Sequence, residues 1–190
     1  MMTAKPTNLE GVWLIEPPRW VDHRGAIAQI WNRADYIDCR LAHGLPHPQW
    51  PESREWVQEN VTFSTENVLR GIHVSPNLWK LATCVYGRIF LVVVDCRITL
   101  GVNELQRSKL NYNFGQWKSW TIDHSDSIMI LVPPGFGLAH LVLSKQAVFY
   151  YKWSGLYDGP EQLSFRYDNP RFGIKWPLEG TPILSERDGG

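Results

Sequence analysis

Short runs of β-type sequence, separated at regular intervals by Gly, Pro and Asn, restrict the fold of this chain most strongly. Residues 57–63 (VQENVTF) alternate between two faces, and residues 80–85 and 88–95 flank Tyr86-Gly87, which predicts a hairpin turn. Short strands with regularly spaced turns predict a β-sandwich or barrel. The other strand candidates are residues 11–16, 26–31, 116–122, 127–132 and 147–152.

Helix signals are weak and confined to one stretch. Around residues 33–41, Tyr36 and Leu41 have approximately helical spacing, whereas residues 43–51 contain three prolines and predict an irregular loop. The sequence has no internal repeat and no clear linker. We therefore expect one all-β domain over residues 1–190, with short peripheral helices.

Composition and charge exclude several functional classes. Hydrophobic residues make up 44% of the chain, which favours a globular protein over a disordered one. Nineteen basic residues balance nineteen acidic ones, so no overall positive field attracts nucleic acid or a membrane surface. The longest apolar run, residues 89–94, is too short to span a bilayer. Cys84 and Cys96 lie in apolar runs, which predicts buried free thiols and a cytoplasmic location.

Among the histidines, His73 is distinguished by its neighbours. Arg70 and Gly71 precede it after a β-rich run, and Lys80 follows seven residues later at the start of the next strand candidate. In a regular strand Arg70 and His73 face opposite sides, but a bulge at Gly71 would bring both into one cavity. The other histidines are His23, His43, His47, His124 and His140.

The sequence offers little support for a metal centre or a phosphate loop. A cupin-type metal site needs several converging ligands that commonly begin with an HxH pair, and this chain has none. No glutamate follows His73 at short spacing. GxSxG, Walker and GxGxxG motifs are also missing from the sequence. We therefore expect no metal and no organic cofactor.

A set of motifs occurs in fixed order between residues 22 and 188. They are DHRG (22–25), QEN (58–60), NVLRGIH (67–73), WKL (79–81), YGRIFLVVVDCR (86–97), PPGF (133–136), LVLS (141–144), AVFYYK (147–152) and WPL…PILSERD (176–188). In this order they resemble the dTDP-4-dehydrorhamnose 3,5-epimerase family. That family has D-x-R-G, Q-x-N, VLRGLH, a GKL-like lysine step and a GEVFDVAVDLR-like strand at the corresponding places.

The resemblance implies a cupin-like jelly-roll barrel that forms a homodimer and binds a nucleotide-diphosphate sugar without a cofactor. By position, His73 matches the catalytic base and Asp188 matches the carboxylate that hydrogen-bonds it. Tyr151 matches the proton donor on the opposite sugar face, and Lys80 matches the lysine near the ketone oxygen. The matching substrate-binding residues are Arg70, Gln58, Asn60 and Arg24, the last delivered across the dimer.

The implied reaction explains why these residue types occur together. In a 4-keto sugar the C3 and C5 protons are acidic, because the carbanion delocalises into the ketone. Imidazole is a suitable base, since its ordinary pKa of about 6.5 lies near neutral pH. A buried aspartate fixes the tautomer of such a base, and a lysine at the enolate oxygen is typically worth roughly 3–4 kcal/mol. Epimerisation then needs an acid on the opposite face.

Departures from the family pattern concern the substrate. Leu138 replaces a histidine of the family motif PxGFAHGF, Leu91 replaces an acidic residue, and Ala26-Ile27 replaces an aromatic pair. The pattern WKLxxCVYGRIFLVVVD (79–95), with the LVLS and AVFYYK segments, is similar to a branch acting on GDP-linked 4-keto-6-deoxy-heptoses in capsule synthesis, so GDP-heptose and dTDP-hexose substrates both stay open. So does epimerisation at C3 alone. The alternative functions are a sugar 3,4-ketoisomerase on the same scaffold and a non-catalytic sugar-binding cupin.

Overall fold

Two antiparallel β-sheets pack face to face in this protein. The computed structural model describes residues 1–43, 56–97, 114–157 and 159–189. The strands are β1 (Thr3–Pro6), β2 (Trp13–Glu16), β3 (Arg19–Asp22), β4 (Gly25–Ala28), β5 (Gln58–Thr65), β6 (Leu69–Val74), β7 (Lys80–Tyr86), β8 (Arg88–Asp95), β9 (Trp117–Asp123), β10 (Met129–Val132), β11 (Phe136–Val142), β12 (Gln146–Trp153) and β13 (Leu163–Ser164), and the helices are α1 (Arg33–His43) and α2 (Glu186–Gly189).

The strand order is that of a two-layer β-sandwich. One sheet has the order β1-β2-β10-β7-β12-β5, the other has the order β13-β6-β11-β8-β9, and β3 and β4 form a separate hairpin. The main core lies between the two large sheets, because Cys84 and Phe149 of the first pack with Leu91, Val93 and Leu138 of the second. The all-β prediction is confirmed.

Helix α1 covers the outer face of the six-stranded sheet. Its side chains Tyr36 and Cys39 pack in one buried cluster with Ile15 and Leu81. The helix begins after Asn32, whose Oδ1 accepts a hydrogen bond from the backbone N–H of residue 34 at 3.0 Å, as an N-cap does. The predicted helix is confirmed and ends at residue 43. No helix in the described ranges is long and apolar enough to cross a membrane.

Local turn chemistry places the predicted strands near their expected positions, although β2 and β10 begin two residues later than predicted, at Trp13 and Met129. Gly87 turns between β7 and β8 with φ of 75°, and a Cβ there would lie 2.1 Å from the carbonyl oxygen of Gln146, so only glycine fits. Strand β4 ends at Ala28, shorter than the predicted strand over residues 26–31. The predicted loop over residues 43–51 lies, beyond residue 43, outside the described residues.

Strand β5 is an edge strand of the six-stranded sheet and has an inverted polarity. Gln58, Asn60 and Thr62 point between the sheets, whereas Val61 and Phe63 on the other face are 51% and 74% exposed. A strand that buries its polar side chains and exposes its apolar ones is unusual, because burial normally favours the reverse. The inward polar face therefore marks a cavity, and the outward face leaves Val61 and Phe63 exposed.

Candidate active site

A cavity of about 370 Å³ lies between the two sheets, at the edge where β5 and β6 run. A cavity of this size can enclose part of a small-molecule ligand. The structure places six of the eight site residues predicted from the sequence in its wall: Gln58, Asn60, Arg70, His73, Lys80 and Tyr151. Of the other two, Asp188 lies against His73, and Arg24 lies elsewhere.

His73 and Asp188 form a hydrogen-bonded pair although they are 115 residues apart in the chain. Nε2 of His73 lies 2.6 Å from Oδ1 of Asp188, whose side chain is 4% exposed. Oδ2 of Asp188 accepts a bond from the Ser185 hydroxyl at 3.0 Å. Burial opposes ionisation of Asp188, but hydrogen bonds from His73, Ser185 and the backbone of Gly71 hold its pKa below the ordinary value. The carboxylate thus fixes the imidazole in one orientation.

A bulge in β6 brings Arg70 and His73 to the same cavity. His73 pairs with Leu138 and Arg70 pairs with His140, so three steps along β6 oppose two steps along β11. Gly71 has φ of 118°, and a Cβ at this position would lie 2.5 Å from the Cβ of Ala139. The glycine therefore permits the bulge that the sequence analysis predicted, and this bulge lets both Arg70 and His73 face the cavity.

Lys80 is buried at the start of β7, beside the His73–Asp188 pair. Its side chain is 3% exposed, and its Nζ donates to the backbone oxygen of His73 at 3.3 Å and lies 4.8 Å from the ring centroid of Trp153. Burial, together with the charge of Arg187, lowers the pKa of Lys80 to about 7. A lysine with this pKa can both carry positive charge and give up a proton near neutral pH.

The register of β12 decides which of two adjacent tyrosines faces the cavity. Tyr151 lines the cavity, and Tyr150 points outward, where its hydroxyl donates to Glu59 at 2.7 Å. Burial raises the pKa of Tyr151, although nearby hydrogen bonds and the charge of Arg70 oppose this. Its phenol is therefore protonated at neutral pH and able to donate.

The polar face of β5 is held in place by its own hydrogen bonds. Nε2 of Gln58 donates to Oδ1 of Asn60 at 3.2 Å, and Oε1 of Gln58 accepts from the backbone N–H of Tyr157 at 2.8 Å. These bonds join β5 to the segment after β12. Both amides remain part of the cavity wall.

Arg24 does not line the cavity of its own chain. It lies at the turn between β3 and β4, where its guanidinium is 74% exposed and bonded to Asp22 at 2.6 Å. The sequence predicted that this arginine acts in a partner subunit. That role stays a prediction.

Several cavity residues were not found by the sequence reasoning. Arg187 donates to the hydroxyls of Ser164 at 2.9 Å and Tyr157 at 3.1 Å, and it adds a third cation to Arg70 and Lys80 in the wall. Its position directly before Asp188 in SERD was the available signal, because a residue next to a site carboxylate is held near the same site. The others are Thr62, Leu138, His140, Phe149, Trp153, Tyr157 and Gln162.

The donor set of this cavity differs from that of a metal centre. Within the four described ranges, no three His, Cys, Asp or Glu side chains converge closely enough to hold a metal ion. The wall instead combines three cations, one histidine–carboxylate pair and two phenols, those of Tyr151 and Tyr157. Such a wall can bind an anionic ligand and move a proton on and off carbon.

Comparison with known proteins places these residues in a family. The family model described as dTDP-4-dehydrorhamnose 3,5-epimerase matches residues 6–190. A dTDP-4-dehydrorhamnose 3-epimerase of Streptomyces niveus is 32% identical, covering 98% of this chain and 81% of the relative. A dTDP-4-dehydrorhamnose 3,5-epimerase of Methanothermobacter thermautotrophicus is 31% identical, covering 96% and 89%.

A solved structure supports the same assignment. The dTDP-6-deoxy-D-glucose-3,5-epimerase of Legionella pneumophila, in complex with dTDP-4-keto-L-rhamnose, superposes with a TM-score of 0.81 at 28% identity, covering 100% of this chain and 90% of that one. The cupin-type jelly-roll prediction is thereby confirmed. Because the family model spans nearly the whole chain, this protein belongs to the dTDP-4-dehydrorhamnose 3,5-epimerase family and is an isomerase.

Proposed function

We propose that the protein inverts C3 and C5 of a dTDP-linked 4-keto-6-deoxy sugar by removing and returning protons beside the ketone. The observation that carries this proposal is the convergence of the His73–Asp188 pair, Lys80 and Tyr151 on one cavity. A base, an oxyanion partner and a second acid are the three groups that the reaction needs. The names of the relatives support dTDP as the nucleotide carrier.

The first step is proton removal by His73. Its Nε2 is bonded to Asp188, so the other ring nitrogen takes the proton from C3 or C5, and the two electrons of the C–H bond pass into the C4 ketone as an enolate. The carboxylate stabilises the imidazolium that forms. Lys80 donates a hydrogen bond to the developing enolate oxygen, where positive charge lowers the barrier most.

The second step is protonation of the enolate carbon from the other face. Tyr151 is on β12 of the opposite sheet, and burial keeps its phenol protonated until it donates. The cycle closes when the Tyr151 phenolate takes a proton from solvent and the His73 imidazolium releases one to solvent, which is also how deuterium enters the sugar. Arg70 and Arg187 bind the diphosphate through charge-assisted bonds, which turn remote binding energy into placement of the sugar.

The identity of the carrier nucleotide distinguishes the proposed dTDP-linked substrate from a GDP-linked alternative. Ala26-Ile27 stands where the family has an aromatic pair, and this favours a GDP-linked 4-keto-6-deoxy-heptose of capsule synthesis as the second candidate. Turnover of the dTDP-hexose and GDP-heptose substrates should be compared at equal concentration. A higher kcat/KM for the GDP-linked sugar would overturn the dTDP assignment.

We also propose that the protein works as a homodimer. Besides Phe63 on β5, the β3–β4 hairpin exposes Trp20, Val21 and Ile27 at 57%, 71% and 68%. These apolar side chains on an edge strand and a projecting hairpin suit a second copy of the chain. Phe63→Asp should convert a dimer to a monomer in analytical ultracentrifugation, and an unchanged sedimentation coefficient would contradict this proposal.

We propose the cytoplasm as the location, because Cys39, Cys84 and Cys96 are buried thiols that form no disulfide in the described ranges, which suits a reducing compartment. Localisation of the tagged full-length protein in intact cells tests this. Recovery in an extracellular or membrane fraction would contradict it.

The decisive experiment is solvent exchange in deuterated water. Wild-type protein should incorporate deuterium at both C3 and C5 of the dTDP-4-keto sugar, and His73→Asn should lose this exchange by at least about 10²-fold. His124→Asn, at an exposed histidine outside the cavity, is the matched control. Unchanged exchange in His73→Asn would refute the base, and label at one carbon alone would reject double epimerisation. A product with its carbonyl at C3, detected by NMR, would instead show a ketoisomerase.

A further inference from the structure

Of the shielded polar atoms in the cavity wall, Nε1 of Trp153 lies beside Tyr151, and two others have no role in the mechanism above. Nε2 of His140 and Oγ1 of Thr62 have no hydrogen-bond partner in the part of the chain that the structure describes. Both side chains line the cavity and both flank Phe149. The His140 ring lies 4.2 Å from the Phe149 ring, and Thr62 is the direct cross-strand partner of Phe149.

The surroundings of His140 keep its imidazole uncharged. Its partner on β8 is Leu91, and Leu138 precedes it on the same face of β11, where both leucines belong to the buried core. Burial, together with the positive charge of Arg70, lowers the pKa of His140 to about 3, although Asp188 opposes this. His140 is 4% exposed, so solvent does not satisfy the ring either.

Unpaired polar groups of this kind require an explanation. Native proteins pair nearly all buried polar atoms, because each unpaired one destabilises the fold by about 1–3 kcal/mol. Two such atoms beside one aromatic ring, in the wall of a ligand cavity, indicate that a bound ligand supplies the partner. The cations assigned to the diphosphate are Arg70 and Arg187, whereas His140 and Thr62 are both neutral.

We propose that His140 and Thr62 form a specificity subsite that hydrogen-bonds one uncharged hydroxyl of the sugar. A hydroxyl both donates and accepts, so it can serve either tautomer of the neutral imidazole and the threonine hydroxyl together. The subsite rests on the proposed function, because it assigns a place to the sugar of that substrate. The family motif has its histidine at the position of Leu138. In this chain the subsite would place the polar contact of β11 two residues further on, at His140.

The test uses His140→Phe and Thr62→Val, which keep the approximate shape of each side chain. We expect each to lower kcat/KM for the dTDP-4-keto sugar by roughly 10- to 100-fold, because a buried partner is left unpaired. Inhibition by free dTDP, which has no sugar, should change less than about twofold. The matched controls are His124→Phe and Thr65→Val, both at exposed positions, which should keep full activity.

The double variant makes the test sharper. If both side chains bind the same hydroxyl, the loss in His140→Phe/Thr62→Val should be clearly smaller than the product of the two single losses. Unchanged kcat/KM, or an equal loss of dTDP inhibition, would overturn the subsite, and multiplicative losses would overturn its shared hydroxyl. Failure of the wild type to exchange deuterium would instead count against the proposed function itself.

Discussion

Replacing Lys80 with methionine should make the protein more stable and nearly inactive. Lys80 is 3% exposed, and burial lowers its pKa from 10.5 to about 7. At about 1.4 kcal/mol for each pKa unit, the folded protein is destabilised by about 4 kcal/mol at pH 7 relative to a neutral side chain. The lost bond to the backbone oxygen of His73 offsets about 1 kcal/mol of this. Lys80→Met should therefore gain about 3 kcal/mol at pH 7.

The pH dependence of this gain identifies its cause. Because the pKa is lower in the folded state, the unfolded chain binds more protons between pH 7 and pH 10.5, and wild-type stability rises with pH across that window. The destabilisation falls to about 2 kcal/mol at pH 9. The advantage of Lys80→Met should therefore shrink by about 2 kcal/mol from pH 7 to pH 9.

Urea denaturation at pH 7, 8 and 9 measures the free energies of unfolding, and deuterium exchange at C3 and C5 measures activity. Lys118→Met is a matched control, because the Lys118 ammonium also lies near an indole, 5.6 Å from the Trp120 ring, on a partly exposed strand. A trend shared by both variants would not come from Lys80. A gap between wild type and Lys80→Met that stays constant with pH would refute the reasoning.

Three other substitutions probe the remaining groups. Asp188→Asn should lower kcat by about 10³- to 10⁴-fold in steady-state assays. Because the pKa of Asp188 is lowered in the folded state, its carboxylate should stabilise the wild type above the ordinary carboxyl pKa, and this stability should be lost as the pH falls through the folded value. Acid titration of the two proteins would show this difference. Tyr151→Phe should still exchange solvent deuterium through His73 but lose inversion by about 10²-fold, as NMR of the product sugar would reveal, and unimpaired inversion would exclude this donor. Arg24→Ala should weaken dTDP binding by about tenfold in calorimetry without lowering Tm. The control variant Arg88→Ala should bind dTDP as tightly as the wild type.

Local sequence determined those parts of the fold that depend on neighbouring residues. The hairpin between β7 and β8 follows from Gly87, because a Cβ would collide with the backbone of Gln146. Helix α1 follows from its spacing and from the Asn32 cap. The ordered motifs, read as a family resemblance, named seven side chains that the structure places at one cavity.

Register could not be read from the residues alone. Tyr150 and Tyr151 have the same chemistry, and the pairing of β12 with β5 and β7 turns Tyr151 inward. Arg70 and His73 share the cavity because of a bulge opposite β11, which depends on the partner strand. The alternating residues of β5 likewise do not show which of its faces is buried, because burial depends on how the two sheets assemble.

Asp188 shows most clearly the difference between what the sequence determines and what the tertiary structure decides. Taken by itself, an aspartate predicts a solvated side chain, and only the family resemblance indicated otherwise. In the fold it is buried against His73, 115 residues away, with Ser185 on its second oxygen. The sequence by itself determined which chemical groups the protein carries and where its turns fall. The tertiary structure decided which groups meet, because hydrogen bonds and burial between distant segments exist only once the two sheets have packed.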